Sequence, residues 1–286
     1  MAKPNIEPIV AETLREFAEF LERHMSIART ADDWVSGFKN DWCADSPNYG
    51  FMLRHDGKVV GGIAAIYADR QMGGKSEKFC NITSWCVMDS HRNYSMKLAM
   101  SLTSQPGFNY TDFSPTKVVA GVLQFLKFTP IPKINVVIPN FPTLVRHGRV
   151  VTSPAKFDEL LTGQNRQIWK DHAGFPWLQQ IIVGGPLNWC HVIFKRRRFK
   201  KFASADIIYV SDPRLFIEHL GIIRTHFFMR RIMTTQVEKR FMPWPSGCLP
   251  VFSYVQTGFN AKQYLSAHLK PIDIDYLYSE TVALDL

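Results

Sequence analysis

The chain has no apolar stretch approaching the ~18 residues of a membrane span, so no transmembrane segment is expected. Its first residues, Met1-Ala2-Lys3-Pro4-Asn5, hold no apolar signal region, and secretion is not expected. Cysteine is sparse. Cys43, Cys80, Cys86, Cys190 and Cys248 are scattered and odd in number. None forms a CxxC pair or sits near a histidine at metal-ligand spacing, which argues against a disulfide framework and against a zinc site. The thiols read as reduced, in a cytoplasmic protein. Carboxylates are outnumbered, 25 Asp and Glu against 34 Lys and Arg, for a net charge of +9 and a pI near 9.3. That balance favours an anionic partner, whether nucleotide, nucleic acid, anionic membrane or polyanionic cofactor, and does not choose among them.

What is present is enough apolar surface for a real core. Of 286 residues 46% are hydrophobic, which suits one large domain or two small ones. Ala11, Leu14, Phe17, Ala18, Leu21 and Met25 recur at helical spacing, and Trp34, Phe38 and Trp42 suggest a second short helix. Strands are expected over 49–54 and 58–67, joined by Asp56-Gly57 as a tight hairpin turn. A further strand over 81–88 runs into His91-Arg92-Asn93, and a helix follows over 96–103. Phe108 to Phe113 reads as a strand, and Ser114-Pro115-Thr116 as a helix start. Val118, Val122, Leu123, Phe125 and Leu126 are expected to form that helix's buried face, and 134–138 is one more strand. The order is that of an α/β layer with a mixed sheet.

A looser segment over 140–175 is taken as a boundary between domains 1–145 and 146–286. Beyond it, strands over 189–194 and 202–210 flank the basic run Lys195-Arg196-Arg197-Arg198 with Lys200-Lys201, which reads first as a solvated hairpin tip. Ser211-Asp212-Pro213 caps a helix expected to end at Gly221, and strands are expected over 234–242 and 250–256. The hairpin-then-helix order echoes the first half.

From Ala11 to Ile138 the layout resembles the GNAT superfamily of acyl-CoA-dependent N-acyltransferases. That family has a central strand ending in Arg/Gln-x-x-Gly-x-Gly/Ala, and the matching residues are Arg92-Asn93-Tyr94-Ser95-Met96-Lys97. Arg92 fits, while Ser95 and Lys97 replace small residues. Leu126-Lys127-Phe128 matches the family's Leu-Gly-Phe, again with Lys for Gly. The resemblance implies a GNAT-like first domain, a second and degenerate GNAT-like domain, and coenzyme A or acyl-CoA, such as acetyl-CoA, as donor. It places the pyrophosphate on the helix N-terminus at Arg92–Lys97 with Ser114 nearby, and the pantetheine along Trp85–Met88. The Val87 or Met88 N–H would then face the thioester carbonyl. Helix N-termini carry unpaired N–H groups and a positive dipole end, which is why an anion suits them.

The family's usual strand Glu is missing from 81–88, and Leu123 stands where a general-acid Tyr is common. Asp171 and His172 are therefore the candidate catalytic pair, with His191 and His226 as further histidines. Asn81, Thr83 and Trp85, at period two, could line the acceptor side, and Met88, Phe113 and Phe125 the acyl pocket. Cys86 reads as core rather than nucleophile. The acceptor implied is a small-molecule amine, by similarity to sugar N-acyltransferases a nucleotide-linked amino sugar, with Trp169, Trp177 and Trp189 as candidate stacking faces. Nucleic acid is the less favoured partner. The alternatives are a transfer-RNA-dependent aminoacyl or peptidyl transferase of tandem-GNAT type, or a non-catalytic protein that binds acyl-CoA or nucleic acid.

Overall fold

The computed structural model describes residues 3–131, 134–143, 148–185, 188–242, 252–255 and 262–286. Cys248 and residues 250, 251 and 256 of the strand expected over 250–256 lie outside them, while 252–255 are a strand as expected. The chain divides into two compact units: one made of 1–132, 258–274 and 278–286, the other of 133–257 with 275–277. The sequence boundary at 145 does not coincide with this division, because the C-terminal chain returns to the first unit.

In the first unit the order is β1 (Asn5–Pro8), α1 (Leu14–His24), α2 (Ala31–Phe38), β2 (Gly50–His55), β3 (Lys58–Met72) and β4 (Lys75–Val87). A 3₁₀ turn (Asp89–Tyr94) then runs into α3 (Ser95–Thr103), followed by β5 (Asn109–Asp112), α4 (Lys117–Phe125) and β6 (Thr129–Pro130). The second unit holds β7 (Ile134–Pro139), β8 (Arg149–Val151), α5 (Pro154–Leu160), α6 (Gly163–His172), β9 (Leu178–Gly184), β10 (Trp189–Phe199) and β11 (Phe202–Val210). It continues through α7 (Pro213–Glu218), α8 (Leu220–Met229), β12 (Thr234–Glu238) and β13 (Phe252–Val255). The first unit is completed by β14 (Gln263–Leu265) and α9 (Glu280–Ala283).

Each unit has its own seven-stranded sheet, ordered β1-β2-β3-β4-β5-β14-β6 in the first and β13-β7-β12-β11-β10-β9-β8 in the second. Both are mixed. Among the described residues, only β4 and β5 pair in parallel in the first, and only β11 and β12 in the second. Each parallel pair follows an antiparallel run and is joined through helix, α3 in one sheet and α7–α8 in the other. The echo read from the sequence is thus a repeated topology.

Local chemistry accounts for most elements. Asp56 and Gly57 both have positive φ (47° and 76°), as a two-residue hairpin turn requires. Gly73-Gly74 repeats the device and lengthens β3 and β4 beyond the sequence expectation. The segment 140–175 is less loose than expected, since it contains β8, α5 and α6. Asp212 caps α7 by accepting from the Arg214 and Leu215 N–H groups. Gly221 ends nothing, because α8 runs through it.

At α4 the cap is Thr116, whose Oγ1 accepts from the Val119 N–H, and not Ser114. Ala120 and Leu123 are buried, whereas Val118 and Phe125 are 77% and 73% exposed, which corrects the expected face. After α4 the Phe128 N–H bonds to the Leu123 carbonyl and the Lys127 N–H to that of Gln124. This closure places Lys127 at φ 70°, the position that favours glycine. Lys127→Gly is expected to raise stability by about 1 kcal/mol, measured by denaturant unfolding.

Candidate active site

One buried cluster of the first unit lies on the sheet face where Cys80, Ile82, Leu98, Leu102 and Leu123 are buried and Trp85 and Val87 pack against them. Residues 80 and 82 are even and residues 85 and 87 odd, so the alternation changes parity between them. The register shows why. Ala64 pairs with Thr83 and Gly62 with Cys86, so Ser84 and Trp85 together oppose Ile63. This is a β-bulge, and Ser84 adopts φ 48° within it. Trp85 therefore leaves the face of Asn81 and Thr83, contrary to the period-two expectation, and Cys86 joins that face instead.

The bulge also decides which amides of β4 remain open. The Met88 N–H donates to the Val60 carbonyl at 3.0 Å, so it is not available to a ligand. Val87 lies opposite Gly61, and strand alternation turns its N–H and C=O away from β3. On that other side the pairing with β5 stops at Asn81–Thr111, and β5 ends at Asp112 while β4 continues to Val87. The two parallel strands thus part company, and among the described residues the last part of β4 has an edge without a strand beside it.

This edge opens on a cavity of about 670 Å³ lined by His24, Trp85, Cys86, Val87, Met88, Asp89, Ser90 and Arg92. Val87, Met88 and Arg92 were expected there. The indole Nε1 of Trp85 is buried and, among the described residues, has no hydrogen-bond partner. Cys86 Sγ lies 3.7 Å from the His24 carbonyl. Burial pushes its thiol above the ordinary value, which fits a core residue better than a nucleophile.

The chain after β4 turns helical earlier than the helix expected over 96–103. It is helical from Asp89, and the His91 N–H bonds to the Met88 carbonyl and the Ser95 N–H to that of Arg92. The unpaired donors of the helical run are therefore those of its first residues, Asp89 and Ser90, both on the cavity. Asn93, Tyr94, Ser95, Met96 and Lys97 lie beyond the lining residues. Lys97 is exposed, its ammonium 5.4 Å from the Tyr94 ring centroid, so it does not block the turn. Arg92 pairs with Asp89 at 2.7 Å, and both side chains are largely exposed.

At the fork between β4 and β5 sits a group that the sequence did not reveal. Asp112 and Glu280 are buried together. Burial pushes Asp112 well above the ordinary carboxyl range, and the charge of Glu280 adds to that; burial raises Glu280 too. Glu280 Oε1 accepts from the Phe113 N–H at 2.7 Å and from Ser114 Oγ at 3.1 Å. The Glu280 N–H donates to Asn81 Oδ1, and Asn81 Nδ2 donates to Thr111 Oγ1. Ser114, expected at the pyrophosphate, is committed to this cluster.

The expected catalytic pair belongs to the second unit and is not built for catalysis. His172 is fully buried, and its Nδ1 and Nε2 face the carbonyls of Ile168 at 2.7 Å and Leu277 at 2.8 Å. Burial lowers its basicity, against weaker opposition from those carbonyls. A ring enclosed in this way meets no substrate. Asp171 accepts from Gln167 Nε2. His191 is buried against Gln180 and pushed down to about 3, and His226 beside Arg230 to about 4, burial being the main cause in both. The basic run lies within β10. Lys195 is buried and Arg196 and Arg198 exposed, so the charges divide between the faces. Trp169 packs on Phe157, Trp177 on Phe175, and Arg149 lies over Trp189.

Among the described residues no helix is long and apolar enough to cross a membrane, and no three His, Cys, Asp or Glu gather as a metal site. No protein-family model matches the sequence, and no curated protein matches it. Solved structures do. A GCN5-related N-acetyltransferase from Anabaena variabilis superposes with a TM-score of 0.60 at 14% identity, covering 92% of this chain and 72% of that one. Another from Kribbella flavida gives 0.60 at 11%, covering 92% and 70%. A protein from Pyrococcus horikoshii gives 0.52 at 11%, covering 96% of this chain and 94% of its own. At identities of 14% and below, this likeness is one of architecture: the chain has the mixed-sheet α/β fold of the GCN5-related N-acetyltransferases.

Proposed function

We propose that the chain is an acyl-CoA-dependent N-acyltransferase, with its donor along the open edge of β4. The observation that carries this reading is the fork itself. β4 continues past its parallel neighbour, a bulge turns Val87's amide into the gap, and a cavity follows to Arg92. An extended pantetheine arm, with amides of its own, suits an unpaired strand edge. The first N–H groups of the 3₁₀ turn offer further donors. The residues present fit coenzyme A, which supplies the acyl group as an activated thioester.

Each residue then has a limited task. The Val87 N–H faces the thioester oxygen, where a fixed donor in a sheltered site is worth about 3 kcal/mol as charge develops. Met88 contributes its side chain to the wall and not its amide. Arg92 and the amides of Asp89 and Ser90 hold phosphate, with Asn93 to Lys97 forming the helix behind them. The acceptor is a small-molecule amine, on this reading a nucleotide-linked amino sugar. Since His172 is enclosed, the amine's proton leaves to water.

Asp89 competes with the phosphates for Arg92. Asp89→Asn is therefore expected to tighten coenzyme A binding about three- to tenfold, the scale of one local charge repulsion, measured by calorimetric titration. The function itself is tested by thiol release from acetyl-CoA and longer acyl-CoAs against a panel of nucleotide-linked amino sugars. Release that requires one acceptor and is lost in Arg92→Glu supports the assignment. No release with any pair, and no heat-shift stabilisation by coenzyme A, overturns it.

A further inference from the structure

At the rim of the same cavity three side chains form a hydrogen-bonded line. The Oγ of Ser90, a residue that lines the cavity, lies 2.8 Å from His91 Nδ1. His91 Nε2 lies 2.8 Å from His55 Nδ1, and the two rings meet edge to face with centroids 5.0 Å apart. His55 Nε2 faces the Asp56 carboxylate at 3.8 Å. The line ties the β2–β3 hairpin to the 3₁₀ turn.

Its hydrogen placement follows from the chemistry of imidazole, since a neutral ring carries one N–H and one bare nitrogen. With both rings neutral, the Asp56 carboxylate favours the proton on His55 Nε2. His55 Nδ1 is then bare and accepts from His91 Nε2–H. That leaves His91 Nδ1 bare, so it accepts the Ser90 hydroxyl proton, and Ser90 turns lone pairs toward the cavity. One added proton reverses every link. His55 then donates through both nitrogens, His91 Nε2 accepts, and His91 Nδ1–H donates to Ser90 Oγ. The Ser90 hydroxyl is released to donate into the cavity.

The charged or titratable groups on the surrounding elements are Arg54, Asp56 and Lys58 on the hairpin, Asp89 and Arg92 on the 3₁₀ turn, Lys97 at the start of α3, and His24 of α1 on the cavity wall. Asp56 supports the added proton directly. Arg92 opposes it less than a bare cation would, because Asp89 is its partner. An anion beside Ser90 favours the protonated line twice, by charge and by accepting the released hydroxyl.

We propose that Ser90, His91 and His55 form a proton-coupled phosphate ligand: a phosphate group bound at the cavity draws one proton from solvent onto the histidine pair and converts Ser90 from acceptor to donor. This rests on the cavity being the phosphate end of a coenzyme A site. No covalent bond forms or breaks; the proton comes from buffer and returns to it on release.

The test is calorimetric titration of the full chain with coenzyme A at pH 8.0, in buffers of low and high ionisation enthalpy. The expected result is uptake of about half to one proton per ligand in the wild type, and affinity falling about tenfold between pH 6.5 and 8.5, as such a linkage requires. In His55→Asn and, independently, His91→Asn, uptake drops to the background set by the ligand's own phosphates. Melting temperatures of both variants report folding separately. Binding with equal proton uptake in wild type and both variants overturns the switch and leaves the coenzyme A reading standing. Absence of coenzyme A binding in the wild type overturns both.

Discussion

Arg92→Glu is expected to weaken coenzyme A binding at least about 100-fold. The change removes one charge-assisted contact and sets a carboxylate against the phosphates, a loss of about 3 kcal/mol. Thermal stability should hardly move, since the Arg92 side chain is 74% exposed and its partner Asp89 is 87% exposed, and exposed pairs of this kind contribute little. The measurement is a calorimetric titration paired with a melting curve. A variant that binds coenzyme A as the wild type does would place the phosphates elsewhere. A variant that melts much earlier would make Arg92 a structural residue.

The second large effect concerns the fork. Asp112 and Glu280 are both raised from ordinary carboxyl values, by burial first and, for Asp112, by the charge of its neighbour. A carboxyl whose folded value lies above its unfolded value holds its proton longer in the folded chain. Unfolding then releases protons, so the contribution to stability is full below the unfolded range near pH 4. It is lost as pH rises through the folded values. The melting temperature of the wild type should therefore fall on going from pH 5 to pH 8. Glu280→Gln keeps an oxygen for the Phe113 N–H and Ser114, and puts an amide where Glu280 Oε2 now has no partner among the described residues. Its amide can donate to Asp112, so the variant should lose less stability across that range and outlast the wild type by several degrees at pH 8. A pH dependence shared by both would mean that the carboxyl pair does not carry the linkage.

Much of the frame was legible because local patterns are legible. The periodicity of α1, the Asp56-Gly57 turn and the Asp212 cap depend on neighbours within a few residues, and each stands where expected. Arg92 lies on the cavity because a strand end followed by a helix start fixes its place in this fold. The bulge at Ser84 was hidden, since one residue of left-handed backbone leaves no signal in composition, yet it reverses the faces of Trp85 and Cys86. The fork cluster was hidden for another reason. Phe113 and Glu280 are 167 positions apart, and β14 enters the first sheet only after the strands of the second unit. Asp171-His172 drew notice as an acid beside a base, but sequence adjacency on a helix does not make the two face each other. Burial of His172 inside α6's packing face decides its role. At Lys127 and Ser95 the glycines of the resembling motif are replaced, and the backbone accommodates both without losing the turn.

The most direct test of the open strand edge is amide hydrogen exchange across 82–91, read by mass spectrometry with and without saturating coenzyme A. The account expects exchange at Trp85 and Val87 and at Asp89–Ser90 to slow on binding, while the β3-paired amides of Cys86 and Met88 change little. Coenzyme A that binds without slowing exchange anywhere in 82–91 would contradict the account, for the donor would then lie somewhere other than the edge left open by β5.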